Sequence, residues 1–305
     1  MKTEASRKQI PDFVVVGVAK AGTTSLFHYL NEFRNVYIPD RKECRFFSGM
    51  KGDFVGPGAS FQNDVITDYD EYTALFEDSK SEILGDISND YFYYHEESIR
   101  NLKKHTTENI KIIIILRNPV DRAYSNYLHH LREGWETLNF TDALDAEDSR
   151  MSSKWAWPFY YKNCGLYSNK LKNFKDNFDN VLILFYEEFA TGKIFEKIEK
   201  FLELDSVYSG SAGIARKAQH NKSALPRSLY IRGLLKQSSS LNIILKSILT
   251  KKFRNRTRRF ITSLNSRKAA PIAAEDRMRL IEYYREDIKN LEDFTSKNLD
   301  TWRST

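Results

Sequence analysis

The 305-residue chain has little of several things that would otherwise direct its reading. It holds two cysteines, Cys44 and Cys164, far apart and outside any metal-ligand spacing. Neither a disulfide framework nor a zinc site is indicated, although a single bridge between the two is left open. Six histidines are scattered without metal spacing; the adjacent pair His129 and His130 would point to different faces of a helix. No metal is therefore expected. Long apolar runs are also missing. In the first half the longest, Ile112 to Leu116, is far short of the roughly 20 residues of a membrane span. Met1 to Pro11 is polar and lacks the apolar stretch of a secretory signal, so the expectation is a cytoplasmic protein, at most peripheral to a membrane. There is no internal repeat and no low-complexity tract.

What is present fits a globular chain, with 41% apolar and 29% charged residues. Its net charge of +6 hides a segregation. Ile214 to Ala270 contains fifteen Lys or Arg and no Asp or Glu, leaving 32 basic against 41 acidic residues elsewhere, a net of −9. Such a basic region suits contact with an anionic surface. Within it, Lys251 to Arg259 could meet an anionic polysaccharide, acidic lipid or nucleic acid, or be a solvated helix; of these partners, nucleic acid is not expected.

Periodicity predicts an α/β fold. Asp12 to Val16 is a short β-branched run ending at Gly17, and Thr23 to Phe33 follows as a helix. Val36–Ile38 and Cys44–Phe47 are expected to be extended, 51–67 a loop, Tyr69–Phe76 a helix and Glu82–Ile87 a strand. Helix His95–Lys104 precedes the strongest strand, Ile110–Leu116. Pro119 then sits at the first turn of a helix running to Leu131. Gly165–Phe178, Val181–Phe185 and Lys193–Leu202 continue as helix, strand, helix, and Glu275–Leu299 reads as a final helix. The alternation predicts a P-loop-like three-layer fold, a central parallel sheet flanked by helices with a helical C-terminal part. The expected organisation is a flexible 1–10 and a single domain over 11–305. That domain divides into an α/β core, 11–205, and a basic helical subregion, 206–305, covering the site.

Gly17-Val18-Ala19-Lys20-Ala21-Gly22-Thr23-Thr24 is almost a Walker A loop, but Thr23 stands where the lysine after the second glycine belongs. The lysine lies inside the loop, as Lys20. Amides of Ala21 to Thr24, the helix dipole, Lys20 and the hydroxyls of Thr23, Thr24 and Ser25 can still bind an anion. A glycine turn before a capped helix is the plain alternative. A nucleoside triphosphatase also needs an acid near this loop to organise magnesium. Here the strongest strand ends in Arg117-Asn118-Pro119, which attracts a second anion. Ser125 follows about two helical turns later, on the expected face of Arg122. Arg117 could alternatively pair with Asp121.

Together these segments resemble the two nucleotide motifs of sulfotransferases that use 3′-phosphoadenosine 5′-phosphosulfate (PAPS). Val16 to Ser25 is similar to the 5′-phosphosulfate loop, and Ile115 to Ser125 to the 3′-phosphate motif. Lys42-Glu43 before Phe46-Phe47, Gly165-Leu166-Tyr167, Phe185-Tyr186-Glu187-Glu188 and a C-terminal helix ending near Trp302 extend the likeness over 11–303. The nearest branch contains heparan-type and bacterial carbohydrate sulfotransferases. The resemblance implies PAPS as co-substrate, held by Lys20, Ala21, Gly22, Thr23, Thr24, Ser25, Arg117 and Ser125, with Tyr186 near the adenine. It implies Glu43 as base, Lys20 at the leaving oxygen and no metal. Gln219 to Ser223 resembles a segment that closes over the donor. In the stretch Asp86 to Tyr91, Ile87 replaces a lysine of the heparan-type enzymes, which leaves their polysaccharide contacts in question.

The implied acceptor is a hydroxyl on a glycan or glycolipid, with a lipid or small secondary metabolite as the alternative. A P-loop kinase and a non-enzymatic polyanion-binding protein are the rival classes. Glu43 could instead merely pair with Lys42, Arg45 or Lys20. Trp155, Trp157, Phe159, Tyr160 and Tyr161 could stack on an acceptor or pack beneath the sheet.

Overall fold

A computed structural model describes residues 10–77, 79, 81–204, 224–226 and 265–304, with backbone alone for 224–226 and Ser266. Five strands form one sheet: β1 (Phe13–Gly17), β2 (Val36–Tyr37), β3 (Ile83–Ile87), β4 (Lys111–Leu116) and β5 (Val181–Phe185). Their order is β2-β3-β1-β4-β5, and every neighbouring pair is parallel. The expected P-loop-like α/β fold is therefore the observed one. Strands this apolar suit the middle of three layers. Ile112 to Leu116 are each 0% exposed, and full burial of such a side chain is worth about 1.5–3 kcal/mol.

Ten helices lie among the described residues: α1 (Thr23–Leu30), α2 (Ala59–Gln62), α3 (Tyr69–Ala74), α4 (His95–His105), α5 (Pro119–Glu133), α6 (Phe140–Asp145), α7 (Glu147–Ser152), α8 (Ser168–Asn177), α9 (Lys193–Leu202) and α10 (Ala274–Thr295). A short antiparallel pair joins β6 (Ala224–Pro226) to β7 (Ser266–Lys268). None of the described helices is long and apolar enough to cross a membrane.

Most expected elements form within a few residues of their anticipated ends, and the departures have local causes. The expected extended Cys44–Phe47 is instead a tight turn: Glu43 and Arg45 both have φ of 63°, and Phe46–Ser48 is a 3₁₀ turn. The loop expected over 51–67 contains α2. Helix α8 starts at Ser168 rather than Gly165 because Asp287 of α10 caps it there. That carboxylate accepts from the amides of Tyr167 (2.7 Å) and Ser168 (3.1 Å) and from the Ser168 hydroxyl (2.6 Å). The C-terminal helix is thus bonded to the core. Arg277 pairs with Asp121 at 2.7 Å, and beyond the helix Trp302 Nε1 donates to Glu187 at 3.0 Å.

The aromatic stretch packs: Trp157, Phe159, Tyr160 and Tyr161 are buried. Segment 206–223, the Lys251–Arg259 cluster and the expected closing loop 219–223 lie outside the described residues.

The topology positions the site. The chain leaves β1 through α1 toward β2 on one side, and leaves β4 through α5 toward β5 on the other. Adjacent strands whose connections diverge leave a crevice beyond their C-terminal ends, the usual ligand position in open parallel sheets.

Candidate active site

The crevice opens into a cavity of about 850 Å³. Its lining includes Lys20, Gly22, Thr23, Thr24, Ser25, Glu43, Arg117, Ser125 and Tyr186, every residue that the resemblance implies for the donor or the base except Ala21. Ala21 is buried, and its amide donates to Val18 O at 3.1 Å, closing the turn rather than facing the cavity. Gly22 sits at the N-cap of α1 with φ +93° and offers no side-chain cap. A Cβ there would stand 2.6 Å from the Phe189 ring, so the turn needs glycine. The first-turn amides of α1 remain for an anion, where the helix dipole favours one.

Four cations converge on this point. Burial first, then the charges of Arg132 and Arg117, lower the Lys20 pKa to about 8; Glu43 opposes the shift. Burial also lowers Lys42, with Glu43 again opposing. Such crowding of like charges destabilises the empty site and is relieved by a polyanion.

On the β4 side, Asn118 caps α5, its Oδ1 accepting from the amides of Val120 (2.9 Å) and Asp121 (3.4 Å). Arg117 is held just before the cap. Its Nη1 donates to Lys20 O at 2.8 Å, and its guanidinium lies 4.5 Å from the Tyr186 ring centre. Arg117 does not pair with Asp121, whose carboxylate is engaged by Arg277. The expectation that Arg122 shares the Ser125 face is corrected. Arg122 is fully buried and donates to Tyr161 O, because that side of α5 is packed against the 157–161 segment; Ser125 alone of the two lines the cavity.

Glu43 is 22% exposed. Its Oε1 accepts from Asn89 Nδ2 at 2.6 Å and lies 3.8 Å from Lys42 Nζ; its Oε2 lies 3.4 Å from Arg45 Nη2. The pairing suggested by sequence proximity is present, but loose. Lys42 Nζ donates to Thr24 Oγ1 at 2.7 Å, joining the Glu43 segment to the start of α1.

Asn89, Phe61, Gln62, Asn126 and Arg132 also line the cavity without standing in any of the motifs, and His129 joins them although its pairing with His130 gave no sign of it; Trp157, of the aromatic stretch, lines the cavity as well. Phe61 and Gln62 belong to α2, hidden in a stretch without period. His129 and Arg132 follow Ser125 on α5 by about one and two turns, a spacing that carried the signal.

The matching family model is described as "Sulfotransferase domain" and covers residues 10–223. A solved sulfotransferase from Alicyclobacillus acidocaldarius is similar over 97% of this chain and 100% of that one, with a TM-score of 0.72 and 26% identity. Among curated proteins, the membrane-associated sulfotransferase kil1 of Dictyostelium discoideum is 26% identical over 136 residues, 45% of this chain and 26% of that protein. Bifunctional heparan sulfate N-deacetylase/N-sulfotransferase 1 of Caenorhabditis briggsae is 27% identical over 218 residues, 65% of this chain and 23% of that protein. The chain spans about a quarter of the length of these two relatives. The matched span takes in β1 to β5 and with them the loop after β1, Arg117 after β4 and Glu43, so the chain belongs to the sulfotransferase family.

Proposed function

We propose that the protein transfers a sulfuryl group from PAPS to a hydroxyl of a saccharide, without a metal ion. One observation carries this reading: the anion-binding loop after β1, Arg117 after β4 and the carboxylate of Glu43 line the same crevice. The donor's two anionic ends then have separate receivers. The amides of Gly22 to Ser25 and Lys20 hold the 5′-phosphosulfate, and Arg117 with Ser125 holds the 3′-phosphate. Tyr186, whose ring lies against the Arg117 guanidinium, stands near the adenine.

The residues divide the chemistry as follows. Glu43 takes the acceptor's proton as its oxygen bonds to sulfur. The electron pair of the breaking S–O bond returns to the bridging oxygen, which leaves on the 5′-phosphate. Lys20 stabilises that developing charge, the largest electrostatic demand of the step. The crevice sets the in-line approach. The saccharide assignment draws on the heparan sulfate relative and on a wall that mixes the exposed ring of Phe61 with Gln62, Asn126 and Arg132.

The test is transfer of label from PAPS to a panel of glycans and lipid extracts, followed by Glu43→Gln on the acceptor found. A general base contributes roughly 10²–10⁴-fold, so Glu43→Gln is expected to lose at least about a hundredfold in kcat while donor affinity stays within about threefold. Unchanged turnover in that variant would remove Glu43 from the mechanism. Label passing only to lipid would remove the saccharide.

A further inference from the structure

We infer that Asn89 is a positioning residue, orienting the Glu43 carboxylate and tying that orientation to the loop that receives the donor. The functional weight of this rests on the proposed role of Glu43; the physical coupling stands without it. Asn89 lies two residues beyond β3 and lines the cavity. Thr23 Oγ1 donates to its Oδ1 at 2.8 Å, and its Nδ2 donates to Glu43 Oε1 at 2.6 Å.

Chemistry fixes the direction of this chain. An ionised carboxylate only accepts, so the amide nitrogen must face Glu43 and the amide oxygen must face Thr23. The Thr23 hydroxyl must then donate. Its proton is committed to Asn89, and the residue is 3% exposed. Thr23 therefore meets a bound anion with its backbone amide, while its side chain serves the carboxylate. Thr24 is arranged oppositely: Lys42 donates to its oxygen, so its own proton remains for the anion. Two neighbouring threonines of the loop thus lead, through Asn89 and through Lys42, to the same short segment.

The Glu43 backbone is held by the end of β3 and the residue after it, just before Asn89. Glu43 N donates to Ile87 O at 3.1 Å, and Arg45 N to Ser88 Oγ at 3.3 Å. These bonds hold two non-glycine residues at φ of 63°, a left-handed conformation that residues with a Cβ adopt only where the surroundings enforce it. The charged groups facing Glu43 are Lys42 and Arg45 on its own segment, Lys20 on the donor loop and Asp90 beside Asn89. Of its contacts within 3.5 Å, that with Asn89 is the shorter. Arg45 is committed first to the carbonyls of Phe61 (2.8 Å) and Gln62 (2.9 Å).

Asn89→Asp separates the two halves of the chain. It keeps an oxygen toward Thr23 and replaces the N–H facing Glu43 by a second carboxylate oxygen. Two carboxylates at that distance share a proton. The readout needs no acceptor: the ¹³C carboxyl resonance of Glu43, assigned by its loss in Glu43→Gln, followed against pH. In Asn89→Asp its titration midpoint is expected to rise by at least about one pH unit. Affinity for adenosine 3′,5′-bisphosphate should stay within about threefold, which also reports that the site is folded. In the wild type, saturation with the bisphosphate should move the Glu43 resonance at constant pH; in Asn89→Ala this response should fall by more than half. An unmoved midpoint in Asn89→Asp, or a full ligand response in Asn89→Ala, overturns the inference. Turnover by Glu43→Gln is a separate matter: if it persists, the base assignment fails while the coupling is still judged by the resonance.

Discussion

Lys20 is the residue on which the charge balance of the site turns. Burial and the nearby Arg132 and Arg117 bring its pKa down to about 8. At pH 7 it is mostly protonated; as pH rises through 8 the charge is lost. A bound anion favours the protonated form and raises the pKa again, so binding above pH 8 must take up a proton. Affinity for adenosine 3′,5′-bisphosphate is accordingly expected to weaken above pH 8, by at most about tenfold per pH unit. Calorimetry at pH 8.5 in buffers of different ionisation enthalpy should show net proton uptake, absent in Lys20→Met. Equal heats in all buffers for the wild type would contradict it. Lys20, Glu43 and Arg117 were legible because each stands inside a short motif. Asn89 was not: its two partners are 66 and 46 residues away in sequence, and only the fold brings them together. Arg122 misled for the related reason that spacing along a helix gives a face, not what covers it.

At the scale of elements, α5 shows how the end of a strand is brought to the rim of the cavity. Ile112 to Leu116 drive β4 into the middle of the sheet, Pro119 starts the helix, and Asn118 between them satisfies two first-turn amides. Asn118→Ala should lower stability by about 1 kcal/mol, as for other cap removals, and weaken bisphosphate binding several-fold, because Arg117 is the preceding residue. Denaturant unfolding with and without the ligand measures both effects; loss of stability with unaltered affinity would show that the cap does not position Arg117. The strand and the proline were plain in the sequence because burial demands an apolar run and proline suits a first helical turn. The 43–48 turn was not, since its left-handed residues are Glu43 and Arg45 rather than glycine. Hydrogen bonds to Ile87 at the end of β3 and to Ser88 just beyond it hold them there, and local preference would not.

Over the whole molecule, β1 to β5 supply the crevice and α10 closes the structure behind it. Arg277 on Asp121, Asp287 on the start of α8 and Trp302 on Glu187 bond the C-terminal part to elements that flank the site. The parallel sheet could be read from the alternation of apolar runs. These bonds could not, because each joins polar residues more than a hundred positions apart. The proposed function requires that the crevice receive two separate anionic groups of one nucleotide without a metal. Its most direct test is thermal unfolding with adenosine 3′,5′-bisphosphate in the presence of EDTA, beside ATP with magnesium. A ligand that binds only the folded state raises the midpoint in proportion to its affinity. A rise of several degrees is expected with the bisphosphate in EDTA and a much smaller one with ATP and magnesium; stabilisation by ATP and magnesium alone would rule the proposed function out.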